Sequence, residues 1–491
     1  MSNPKSIKIQ INLAGIALLI VCGLFFSNIS TYNLEALRIL GSFALIQLIY
    51  ILYSWKKLTG SIFDAYIIFI VACFAFNLSQ PILEIFNAVS PARSIITHYN
   101  YTFDVYCPAT FISFYFILFF HLGAVASYKH RENSIKSQNF QQYKIDQKSI
   151  YKVAFYFAIL SFPGYIYNTI VNMIISATEG YGAIYTEGSG RLKILGLIGD
   201  YYVPAIICMY FSSVALNRKK KQTIIIIITT VFIPPLIIGG RSNAIIILAI
   251  LFLIYTFFHK INKKFLLYVG VGAYIMFIVF ALIAGNRGGG MKAYKSVQYD
   301  EDEKGNPALF TISEMGGSMQ PLMNCLQIIP NSQDYRYGQS YLYATTTIIP
   351  NVGIWKVHPA TKYANLGNWL KDYLNLPYGP GFSIVAEAYY NFGYCGFVIM
   401  FIFGFVFAKI LSNASSRNLY VDPIKTVMAL VFLWLTIKLV RNSFEFAVRA
   451  LLYYYLPMYL LMKYYAKKSI RQKFKKLELK NSYEEFNCSS N

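Results

Sequence analysis

The sequence predicts an all-α, polytopic membrane protein with about twelve transmembrane helices and one large loop outside the bilayer. Three observations lead there. Of the 491 residues 56% are hydrophobic and 13% charged, with a mean hydropathy of +0.45, whereas soluble domains carry about 25% charged residues. The apolar residues come in runs suited to crossing a bilayer, such as 37–53, 223–238 and 427–439. Finally, 28 of the 44 Lys and Arg fall at one set of run ends, the bias that marks cytoplasmic segments.

Taken in order, the expected spans are 9–26, 37–53, 62–78, 105–127, 151–175, 195–216, 223–238, 244–258, 265–284, 394–411, 425–439 and 451–464. The first run is too long for a typical cleavable leader and lacks a small-residue cleavage site, so it reads as a retained span. Each crossing lands its basic cluster on one side: Lys56-Lys57, the loop 129–148, Arg218 to Lys221, the stretch 260–264 and the tail after Lys463. An even count returns the basic tail to the side of the N-terminus, which places both termini in the cytoplasm of a bacterial inner membrane. The formal charge of +22 is thereby explained by topology, and nucleic-acid binding is excluded.

Four regions follow: residues 1–284 with nine spans, a large outer loop 285–391, spans 392–466, and a basic cytoplasmic tail 467–491. The other outer segments are short, apart from moderate loops at 79–104 and 176–193. No internal repeat is visible. Within the large loop, Leu366, Trp369, Leu370, Tyr373 and Leu374 share one helical face opposite Lys371 and Asp372. That stripe suits a short helix on the bilayer surface or capping the bundle, and equally one packed on loop neighbours. Tyr and Phe are abundant (42 and 39); many suit interfacial belts, and an aromatic cleft would also suit sugar rings.

Seven Cys are scattered without a CxxC pair, and the five His are dispersed, so neither a redox framework nor a zinc site is indicated. Asp300 to Glu303 contains a literal D-x-D but reads as a solvated acidic turn. No cofactor and no metal is expected.

Ionisable residues near membrane depth are the default functional candidates. Arg241 follows Gly239-Gly240 at the tip of a hairpin, and Arg287 lies in a glycine-rich exit from the ninth span. Arg441, Glu445 and Arg449 follow at i, i+4, i+8 where the eleventh span turns into the twelfth. Arginine presents planar, always-charged donors that match phosphate oxygens, and neighbouring glycines let backbone N–H groups approach an anion. Arg241, Arg287, Arg441 and Arg449 together suit a pyrophosphate, whereas each alone also suits snorkelling to headgroups or pairing with Glu445. Glu387 is a candidate base, or a counter-ion that orients an arginine. His358, Glu445, Arg336 and Arg191 are second-rank candidates.

Residues 237–247, with Gly239-Gly240-Arg241 at their centre, resemble the glycine–arginine hairpin of Wzy-type O-antigen and repeat-unit polymerases. The stretch from Ile328 through Gly338, Ile348-Ile349-Pro350 and Gly381-Phe382-Ser383 to Gly393 is similar to that family's large loop and its exit, and Arg441 to Arg449 to its late arginine pair. The resemblance covers the layout of nearly the whole chain. It implies a metal-independent glycosyltransferase acting on undecaprenyl-pyrophosphate-linked oligosaccharides. A hydroxyl of an incoming lipid-linked repeat unit attacks the anomeric carbon of the growing glycan, inverting it, and lipid pyrophosphate leaves. Glu387 and Arg441 would be catalytic, and Arg241, Arg287, Arg441 and Arg449 would hold the pyrophosphate. A chain-length determinant and a flippase are the implied protein partners. The rival readings are an O-antigen ligase using a loop histidine, and a lipid-linked oligosaccharide flippase, whose usual paired halves and midplane charges are missing here.

Overall fold

The computed structural model describes residues 4–128, 140–186, 193–286, 305–351, 354–376 and 379–488. Among them there is no strand, and 80% of the structure is helical. Among the described residues nine helices are long and apolar enough to cross a membrane: Ser6–Ser27, Leu34–Thr59, Phe103–Ser127, Tyr143–Glu179, Leu195–Ala215, Lys220–Ile238, Lys263–Ala284, Ile384–Leu411 and Pro423–Val440. Two shorter apolar helices, Ala65–Asn77 and Ser242–Phe258, occupy two more of the expected positions. The last expected position falls within the helical stretch that runs from Glu445 to Cys488.

Helix starts are written in the local chemistry. Asn33, Asp64, Ser383 and Asp422 each cap a helix, their side-chain oxygens accepting N–H bonds from Ala36, Tyr66, Ala386 and Lys425. These bonds satisfy donors that hydrocarbon cannot. The helix Leu34–Thr59 ends at Gly60, whose φ of 81° is the left-handed cap that glycine adopts without strain.

The helices are unequally buried. Pro423–Val440 and Phe103–Ser127 are 83% and 78% buried over their apolar windows, against 17% for Ser6–Ser27 and for Lys263–Ala284. The first two therefore form the axis, and the others present apolar side chains to lipid. In a bilayer, association rests on close backbone approach rather than on the hydrophobic effect. The seam between Phe103–Ser127 and Phe397–Leu411 shows it: a Cβ at Gly404 would collide with the Phe120 carbonyl, and one at Gly123 with the Phe401 carbonyl.

The large loop folds back on one end of this bundle. Its helix Pro307–Gly316 lies on Lys263–Asn286 and on Ser79–Glu84. Ser79 Oγ donates to the Ile312 carbonyl at 3.1 Å, and Gln80 Nε2 to the Ser313 carbonyl at 2.7 Å. The Ser90 N–H reaches Ser313 Oγ at 3.0 Å. A second loop helix, Gln320–Ile328, packs on Phe103–Ser127 and on Ile384–Phe392. The amphipathic stripe forms the helix Leu366–Tyr373, capped by Asn365, with Leu366 and Leu370 buried and Tyr373 exposed. Its apolar face thus packs inward against the loop.

Overpacking a glycine seam costs about 1–3 kcal/mol or more. Gly404→Ala is expected to lower the thermal stability of the detergent-solubilised protein, whereas Gly270→Ala, with open space around a Cβ, leaves it unchanged. A melting curve followed by size-exclusion chromatography checks both.

Candidate functional site

Glu387 is the centre from which the site is built. It lies in the helix Ile384–Phe392, fully buried. Its Oε1 accepts the Ser340 hydroxyl at 2.6 Å, and its Oε2 accepts the Phe444 N–H at 2.6 Å. One turn on, Asn391 Oδ1 accepts the Gly338 N–H at 3.1 Å, and its Nδ2 donates to Ser340 Oγ at 2.8 Å. Tyr337 and Gly338 adopt φ of 47° and 87°, a left-handed turn that carries the chain across the end of this helix. A carboxylate and an amide one turn apart thereby pin three segments together: the helix itself, the loop turn 336–340, and the corner 441–444.

That corner carries the first cation. The 3-10 turn Ile437–Val440 ends the axial helix, and Arg441 to Phe444 leave helical geometry. The Arg441 carbonyl accepts the Phe382 N–H at 3.1 Å. Gly381, with φ of 84°, lies directly under the Arg441 side chain: a Cβ there would sit 3.6 Å from its Cγ. The backbone of Arg441 is held while its side chain stays exposed.

A second group lies just beyond. Tyr454 donates its hydroxyl to Asp200 Oδ2 at 2.8 Å, joining the start of one span to the π-helical turn Leu451–Tyr455. Lys438 and Arg449 are both within electrostatic reach of Asp200. Lys438 is half-buried, with its ammonium 5.1 Å above the Trp434 ring, and Arg449 is exposed. Arg449 is also within electrostatic reach of Glu445, a buried carboxyl beside Asn365. Burial pushes Glu445 up to about 7, against the opposing pull of Arg449 and Asn365. Lys438, Arg449, Asp200 and Glu445, from two separated parts of the chain, thus share one corner of the bundle, and Arg441 stands in the turn that leads into it.

The remaining candidates are placed as follows. Arg241 donates to Glu314 Oε1 at 2.7 Å and to the Phe280 carbonyl at 3.1 Å, with only 12% of its side chain exposed. It ties the hairpin tip to the loop helix Pro307–Gly316. His358 caps the helix Pro359–Tyr363, its Nδ1 accepting the Ala360 N–H at 3.2 Å and its Nε2–H donating to the Ile349 carbonyl at 3.0 Å. Arg336 is exposed beside the Tyr390 hydroxyl. Arg287, Arg191 and the acidic run 300–303 lie outside the described residues.

Sequence reasoning missed Lys438, Asp200 and Tyr454. Lys438 sits three residues before Arg441 at the loop-side end of an otherwise apolar helix, which was a usable signal. Asp200 had none, because its partners lie more than two hundred residues away.

Two outcomes are expected here. Glu387→Ala leaves the Phe444 N–H and the Ser340 O–H without acceptors, about 1–3 kcal/mol each; Glu387→Gln retains most of the stability, as measured by thermal unfolding in detergent. Below about pH 7 a neutral Glu445 leaves the Arg449 charge free, and above it the carboxylate competes. Inorganic pyrophosphate therefore binds more tightly on the acid side, and Glu445→Gln shows only the ligand's own titration, both read by calorimetry.

No curated protein and no solved structure matches the chain. A family model, that of the O-antigen polysaccharide polymerase Wzy, matches residues 13–473. Together with the multi-pass helical bundle and its cationic corner, that match over nearly the whole length shows that the chain belongs to the Wzy O-antigen polysaccharide polymerase family, a glycosyltransferase-type polymerase of the membrane.

Proposed function

We propose that the protein joins undecaprenyl-pyrophosphate-linked repeat units at the periplasmic face of the inner membrane, passing the growing glycan to each new lipid-linked unit. The observation that carries this reading is that Lys438 and Arg449 converge on Asp200 at the loop end of the bundle, next in the chain to exposed Arg441 on a corner held by buried Glu387. The 28 basic residues at the opposite set of helix ends support a cytoplasmic location for both termini and a periplasmic one for this corner.

In the reaction the acceptor hydroxyl attacks the anomeric carbon, the C1–O bond to the lipid pyrophosphate breaks, and negative charge grows on the departing phosphate. Cations already in place stabilise that charge most where it is greatest, in the transition state. Arg441 and Arg449 offer planar donors to the phosphate oxygens and Lys438 a compact charge behind them. Direct attack inverts the anomeric centre, and the reading calls on no metal. Glu387 has both oxygens occupied inside the protein, so it serves as a positioning residue for Arg441. Glu445, in the same corner and with an acidity near neutrality, is the carboxylate assigned to receive the acceptor's proton. Arg241 already has its charge balanced by Glu314 and would meet a phosphate only by exchanging that partner. Arg287 is kept as a pyrophosphate ligand on its glycine-rich setting alone.

The ligase reading calls for a loop histidine with a free ring nitrogen, and both nitrogens of His358 are engaged. This favours the polymerase. A chain-length determinant and a flippase remain the expected partners.

Deleting the gene and separating the surface polysaccharide on a gel tests the proposal. A polymerase null gives core bearing a single repeat unit, and that is the expected pattern. Bare core with polymer accumulating on the carrier lipid would make the protein a ligase. In the complemented strain, Arg441→Ala or Arg449→Ala lowers polymer formation by about 10²-fold or more, the usual cost of removing one transition-state donor, with protein levels in the membrane unchanged.

A further inference from the structure

Beside the cationic corner, the loop helices Pro359–Tyr363 and Leu366–Tyr373 border a cleft of about 460 Å³. That volume lies within the range of small-molecule sites, about 300–1,000 Å³. Trp369 and Tyr373 supply its aromatic wall, and Asn368, Asp372, Lys362 and Lys371 its polar one. Trp369 is half-buried and held on several sides. Its Nε1–H donates to Gln333 Oε1 at 3.2 Å, and its ring meets Tyr390 at 4.7 Å and 64°, and Tyr373 at 5.9 Å and 36°. Buried Leu366 and Leu370 anchor the same helix from below, so the indole is presented rigidly.

The chemistry of this lining selects a class of ligand. A fixed aromatic wall takes the C–H face of a sugar ring, while an amide, a carboxylate and two ammonium groups around it exchange hydrogen bonds with hydroxyls. An isolated phosphate would meet Lys362 and Lys371 but leaves the Trp369 and Tyr373 wall unused. An acyl chain would have to desolvate the charged rim. The placement is as informative as the lining. Asn365, which caps the cleft's helix, lies beside Glu445. Gly367 in the first turn of that helix abuts Gly381, a Cβ on Gly367 lying 3.7 Å from the Gly381 Cα, and Gly381 lies under Arg441. The cleft and the cations are therefore two ends of one short surface.

We propose that the Trp369 cleft is a glycan subsite, which docks sugar rings of the substrate while the cations hold its pyrophosphate. The proposal deepens the polymerase reading and rests on it for the identity of the glycan. It explains how the site separates two parts of one ligand: the Trp369 cleft reads the carbohydrate, and the corner at Arg441 and Arg449 reads the leaving group.

The test uses the full-length protein in lipid nanodiscs and two probes, the lipid-free oligosaccharide repeat unit released from the host's own polysaccharide, and inorganic pyrophosphate. Calorimetry gives both affinities. Trp369→Ala and Asp372→Asn weaken oligosaccharide binding by about tenfold or more, a difference of about 1.4 kcal/mol, while Trp369→Phe retains most of it. Pyrophosphate affinity is unchanged in all three. Oligosaccharide binding that is absent from the wild type, or equal in the wild type and in Asp372→Asn, overturns the subsite. Arg449→Ala separates the two readings: it loses pyrophosphate and keeps the oligosaccharide. If it keeps both, the cationic assignment falls and the glycan subsite stands.

Discussion

A carboxylate buried at the end of a membrane bundle, with one oxygen on a loop hydroxyl and the other on a backbone N–H, is the contact on which this architecture turns. Glu387 bridges Ser340 and Phe444 and so joins the large loop to the turn between two membrane helices. Burying a carboxylate is costly unless hydrogen bonds compensate it, and here each oxygen has a short one. Three segments meet at this point. The reward is positional: the corner 441–444 has no helical backbone ladder of its own, so its shape is set by what it touches.

That irregular corner follows from the solvent. Backbone groups that leave a helix near a membrane must be satisfied by protein or by a water-filled cavity. The Phe444 N–H finds Glu387, and the Arg441 carbonyl finds Phe382. With the backbone satisfied internally, the side chains of Arg441 and Arg449 are free to face outward. The axial helices make this affordable in a second way. Because Pro423–Val440 is buried along most of its length, its end is held against the bundle, and Lys438 near that end is fixed in place with it.

The fold class and family were legible because they rest on long-range averages: apolar runs, the side on which basic residues fall, and one oversized loop. The site was legible only in part. Glu445 and Arg449 share one helix, so their proximity could be read from spacing; Arg441 lies in the corner 441–444 that leaves the helix, so the expected i, i+4, i+8 register does not extend to it. The Asp200–Tyr454 bond and its neighbours Lys438 and Arg449 could not, since no local pattern links residue 200 to residues 438–454. Glu387 was recognised as a carboxylate of interest, yet the partners that decide between base and orienter lie 47 residues before it and 57 after it. Arg241 shows the converse. Its glycine-flanked position resembles an anion site, but Glu314 from the loop reaches the guanidinium at 2.7 Å, and a sequence does not announce which acid will arrive.

The arrangement also bears on how a polymerase can lengthen a chain without losing it. A lipid-linked glycan has a charged anchor common to every substrate and a carbohydrate that differs between hosts. In the proposed reading guanidinium and ammonium groups would serve the anchor, because their attraction to phosphate is strong and indifferent to sugar identity. The Trp369 cleft would serve the carbohydrate, because hydrogen-bond geometry discriminates between hydroxyl patterns. In that reading the two functions sit on different segments that meet where Gly367 abuts Gly381 and Gly381 lies under Arg441, so the glycan wall and the cations are set by separate parts of the chain.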